Sequence, residues 1–100
     1  MSYEHINLPM DKIIAVCKRY QVRELALFGS ALRSDFRPDS DIDILVEFEP
    51  DAEIGFMALA AMQRELSEIV GRKVDLVPKG GLKPRIRQAV LESAEVLYAA

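Results

Sequence analysis

Cysteine is nearly missing from this chain: Cys17 stands alone, so no internal disulfide is available and stability must come from packing. Long apolar runs are missing too. No segment approaches the length of a membrane span, and the opening "MSYEHINLPMDK" carries acidic residues without an apolar stretch, which excludes a secretory signal there. Basic residues are in short supply: 13 Lys and Arg against 16 Asp and Glu leave a net charge of -3. That balance argues against nucleic acid as a direct partner, because backbone neutralisation needs a surplus of cations. Histidine occurs once, at His5, and reads as a surface residue. What remains is half hydrophobic in 100 residues, enough for one domain over 1–100 with a real but thin core. The expectation is a soluble, cytoplasmic protein.

Patterning then orders the chain. "PMDKIIAVCKRY" places Met10, Ile13, Ile14, Cys17 and Tyr20 on one helical face, with Pro9 suited to the first turn. "VRELALF" reads as a strand running into a tight turn at Gly29. Residues 30–34 are long enough for one helical turn, and "DFRPDSD" is turn chemistry. From 41 to 48, Ile42, Ile44, Val46 and Phe48 alternate with Asp41, Asp43, Leu45 and Glu47, the signature of a half-buried strand. A long helix follows, with Ile54, Met57, Ala58, Ala61, Leu66, Ile69 and Val70 at helical spacing and Gly71 as its stop. Phe56, Met57 and Met62 read either as core or as a partner surface. "KVDLVP" is a short strand, and the basic stretch from Lys83 starts a helix whose final "VLYA" is readable as helix or strand. The predicted fold is α/β (α+β), a small mixed sheet with helices packed on one side, in the order α-β-β-α-β-α.

Two features in this frame carry chemistry. Asp41 and Asp43, two apart on a strand, leave the same face and can converge on one cation. Carboxylates held so close repel unless positive charge lies between them, and oxygen donors suit Mg²⁺, which takes substrate phosphates as further ligands. Asp75, on the "VDLV" strand, is the natural third acid if the two strands are neighbours, and three acids suffice for two ions. Gly29 and Ser30 form the other half: glycine lets the backbone approach a phosphate, and the serine hydroxyl adds a donor. A nucleoside triphosphate fits between the two halves. A Gly-Ser pair alone is usually a turn and a lone Asp-x-Asp usually a capped strand start; their joint spacing is the signal. Lys79, Lys83, Arg85 and Arg87 form a basic cluster after Asp75, read first as a solvated helix face.

"GSALRSDFRPDSDID" resembles the Gly-Ser-x10-Asp-x-Asp signature of the DNA polymerase beta-like nucleotidyltransferases. More narrowly, the chain resembles the minimal nucleotidyltransferase (MNT) antitoxins that pair with HEPN toxins. The resemblance implies a nucleotidyltransferase fold in which Ser30 contacts phosphate, Asp41 and Asp43 bind Mg²⁺ and Asp75 is the third acid. It extends to Arg33, three residues after the serine, and to Ser40, just before the metal pair. "LRSD" departs from the family's usual Ala-Arg-Gly-Glu, with Ser34 and Asp35 replacing Gly and Glu. It implies an antitoxin that transfers AMP from ATP to a tyrosine hydroxyl of a HEPN ribonuclease toxin. Silencing by tight binding, and transfer to RNA or a small molecule, are the competing expectations.

Overall fold

The computed structural model describes residues 8–29 and 41–100. Its first element, α1 (Met10–Arg19), starts where Pro9 offers its carbonyl to the amides of Lys12 and Ile13 at 3.1 Å each. Asp11 in the first turn and Lys18 and Arg19 in the last complement the helix dipole. Gln21, at φ 59°, turns the chain into β1 (Val22–Phe28). After residues 30–40, β2 (Ile42–Phe48) returns antiparallel to β1. The helix α2 (Phe56–Val70) ends on Gly71, whose left-handed φ of 77° lets its amide donate to Ser67 O at 2.9 Å. It is the crossover that allows β3 (Val74–Pro78) to lie parallel to β2. A 3-10 turn at Lys79–Gly81 leads to α3 (Pro84–Ser93) and then β4 (Glu95–Ala99).

The four strands form one sheet in the order β3-β2-β1-β4. The closing "VLYA", open between helix and strand by sequence, is a strand antiparallel to β1. Ala94 leaves the helical region, and Leu97 and Tyr98 then pack against the core.

Alternation along the strands makes two unequal faces. On one, Ile42, Ile44 and Val46 are buried with Leu25, Leu27, Val74 and Leu76 beneath Ile13, Val16 and Cys17 of α1 and Met62 and Leu66 of α2. Each large side chain buried there contributes about 1.5–3 kcal/mol relative to exposure. The opposite face is thinner: Ala26, Leu45 and Leu82 are buried, with Phe28, Val77, Val90 and Ala94 against them. The expected packing of helices on one side thus describes α1 and α2, while α3 adds Val90 to the second cluster. The stripe on α2 also differs from its sequence reading. The helix begins only at Phe56, and Phe56 and Met57 are each 84% exposed, whereas Met62 is fully buried. Leu59, Met62, Leu66, Ile69 and Val70 form the inward row.

Candidate active site

The thinner face is built in rungs. At one end, Phe28 of β1 lies opposite Asp43 of β2, and Asp43 lies beside Asp75 of β3. Neighbours in register project to the same side, so Asp43 and Asp75 share a face on strands about 4.8 Å apart. The next rung, Ala26, Leu45 and Val77, is apolar and covered by Leu82 and Val90. Beyond it Glu24 faces Glu47, with Lys79 Nζ 3.4 Å from the first and 3.5 Å from the second. The apolar rung therefore separates two charged ones.

Asp41 stands one residue before β2, where Ile42 N donates to Lys73 O at 2.9 Å and ties the start of β2 to the approach to β3. That bond brings all three acids to one end of the sheet. Asp41 and Asp75 are exposed and Asp43 is half-buried. Lys73 Nζ lies 3.8 Å from Asp41 Oδ2, a loose pair with both side chains largely in water and hence weak.

Gly29 closes the other side, at φ 72°. A Cβ built there would overlap Asp43 Oδ2 and lie 3.2 Å from its Cγ. The glycine is therefore required twice, for its left-handed backbone and for the space the carboxylate fills.

Ser30, Arg33 and Ser40, expected at the phosphates, lie outside the described residues. The basic cluster after β3 divides: Lys79 is held between Glu24 and Glu47, about 13 Å along the strand from Asp43 by strand rise. Lys83, Arg85 and Arg87 are exposed at the start of α3. Sequence reasoning passed over Lys73, whose only signal was its place two residues before Asp75.

Among the described residues, no three Asp, Glu, His or Cys side chains converge closely enough to hold a metal by themselves. The donor chemistry still fits a hard divalent cation. Carboxylate oxygens line one rung, and the missing side chain at Gly29 makes room for the carboxylate of Asp43; Mg²⁺ commonly takes one or two carboxylates and completes its shell with water and phosphate.

The nucleotidyltransferase domain family matches residues 10–97, which is nearly the whole of this architecture. The chain belongs to that nucleotidyltransferase family. A relative, the protein adenylyltransferase MntA of Thermococcus cleftensis, is 40% identical over 81 residues, covering 81% of this nucleotidyltransferase and 78% of the relative. In solved structures, the fold is similar to that of a toxin-antitoxin crystallised with AMP-PNP, at TM-score 0.75 and 24% identity over 93% of this chain and 75% of that one. It is also similar to a chain in the complex of tri-AMPylated Shewanella oneidensis HEPN toxin with MNT antitoxin, at TM-score 0.65 and 22% identity over 91% and 70%. Among the described residues, no helix of this nucleotidyltransferase is long and apolar enough to cross a membrane.

Proposed function

We propose that this nucleotidyltransferase is a cytoplasmic antitoxin, one minimal domain, that transfers AMP from ATP to a tyrosine hydroxyl of a HEPN-type toxin. The observation that carries the reading is the rung of Asp43 and Asp75 beside Gly29. It occurs in a family member 40% identical to a protein adenylyltransferase. Asp41, Asp43 and Asp75 are the acids that would hold Mg²⁺, two ions in the full reading. When bound, Mg²⁺ supplies charge neutralisation for the triphosphate and acidifies the attacking hydroxyl. Gly29 gives the Asp43 carboxylate the room it occupies, and Ser30, Arg33 and Ser40 are assigned to the phosphates through the family resemblance. In the reaction, the tyrosine oxygen bonds to the α-phosphorus as the bond to pyrophosphate breaks. The hydroxyl proton would pass to the exposed Asp75 carboxylate or, beside it, to water.

The test is the intact mass of the cognate HEPN protein after co-expression with wild type or with the Asp41→Ala, Asp43→Ala double variant. Wild type is expected to add one or more AMP units and the variant none. A toxin that is silenced without gaining mass would replace this reading with inhibition by binding.

A further inference from the structure

Among the described residues, β3 borders no strand on its outer side, so the amides of alternate residues point away from the sheet. Two of them are taken up by side chains of α2. Val74 N–H donates to Ser67 Oγ at 3.0 Å, and Leu76 N–H donates to Gln63 Oε1 at 2.9 Å. The Ser67 hydroxyl spends its own proton on Gln63 O at 2.9 Å, which leaves its lone pairs for the strand. The spacing is matched: residues four apart on a helix rise about 6 Å, and alternate strand residues about 6.6 Å. Between the two anchored amides sits Asp75, beside Asp43.

We infer that Gln63 and Ser67 are positioning residues for Asp75, holding β3 at the depth and register that set its carboxylate beside that of Asp43. Neither touches substrate; they act through the backbone amides of Val74 and Leu76, the residues on either side of the acid. The inference rests on the reading of Asp75 as a metal-binding acid. It extends that reading to a helix on the far side of the sheet. Ligand-supporting bonds of this kind typically change metal affinity by about 10- to 100-fold when lost.

The experiment measures Mn²⁺ affinity in the presence of a non-hydrolysable ATP analogue, from the loss of the free-ion electron paramagnetic resonance signal. Mn²⁺ serves as an oxygen-preferring stand-in for Mg²⁺. Gln63→Ala, Ser67→Ala and their combination are compared with Gln63→Glu and Ser67→Thr, which keep the acceptor oxygens, and with Asp75→Asn. Thermal melts accompany each. The alanine variants should bind Mn²⁺ about tenfold more weakly while remaining folded at the assay temperature, and the conservative variants should recover the affinity. If the double variant does not fold, the single variants carry the comparison. A lower melting temperature with unchanged Mn²⁺ affinity, while Asp75→Asn does weaken binding, would reduce Gln63 and Ser67 to edge protection and overturn the inference. An Asp75→Asn variant that binds Mn²⁺ like wild type would instead overturn the assignment of Asp75 itself.

Discussion

Among the described glycines, Gly29 has the least freedom to change. A Gly29→Ala variant must place an L-residue at φ 72° and push its methyl against Asp43 Oδ2. The backbone cost alone is about 1–2 kcal/mol, so the thermal midpoint should fall by roughly 4–16 °C. Nucleotide transfer should fall further than stability does, because the displaced group is the carboxylate. Calorimetry beside a transfer assay separates the two losses. Cys17 is the opposite case, a residue whose chemistry is switched off by packing. Burial pushes its thiol up to about 11, and its side chain is inaccessible. A thiol reagent at pH 8 should therefore label the native chain far more slowly than the urea-unfolded one; equal rates would show that this core opens readily. The sign of the linkage follows: the contribution from the protonated thiol is whole below its ordinary value of 9.0 and is lost as pH rises towards about 11.

At the scale of elements, α1 and α2 are joined by a polar clamp at the rim of the main core. Tyr20 donates its hydroxyl to Glu65 Oε2, and Arg19 Nη2 lies 2.7 Å from Glu65 Oε1. The hydrogen bond to Glu65 raises the Tyr20 pKa, and the bonds from Tyr20 and Arg19 lower that of Glu65. The clamp's contribution is thus present above the ordinary carboxylate value of 4.5 and lost as pH falls below it; on the alkaline side it is lost as pH rises above 10.0. Tyr20→Phe should cost about 0.5–1 kcal/mol at pH 7, with a smaller difference from wild type at pH 3. Urea midpoints at the two pH values check it. On α2, Met62→Ala should cost about 2–5 kcal/mol because the side chain is fully buried. Met57→Ala should stay within about 0.5 kcal/mol. Equal effects at the two methionines would contradict the observed rotation of the helix.

For the molecule as a whole, β4 decides whether the sheet is complete. It pairs with β1 and brings Leu97 and Tyr98 onto the core. A chain ended after Ser93 exposes the β1 edge and removes those contacts. It should keep part of its far-UV dichroism while losing near-UV signal and a cooperative melt. A truncated chain that melts as sharply as the full one would show that three strands suffice.

The pattern read as chemistry-bearing was legible in sequence: Asp43 on a strand with Asp41 one residue before that strand, a glycine earlier in the chain, and a third acid on another short strand. It was legible because strand period and turn chemistry are local, decided within a few residues. The helix after β2 was legible as a helix but not in its rotation. Phe56, Met57 and Met62 have similar apolarity, and only the position of the sheet selects which of them it covers. "VLYA" was open for the same reason, since a strand forms there by pairing with β1, some 70 residues earlier. Lys79, read with its cluster as a solvated helix face, is instead held between Glu24 and Glu47, on strands that only the tertiary register brings to it. The adjacency of Asp43 and Asp75, and the hold of Gln63 and Ser67 on β3, belong to tertiary structure because they join segments whose contact no local spacing encodes.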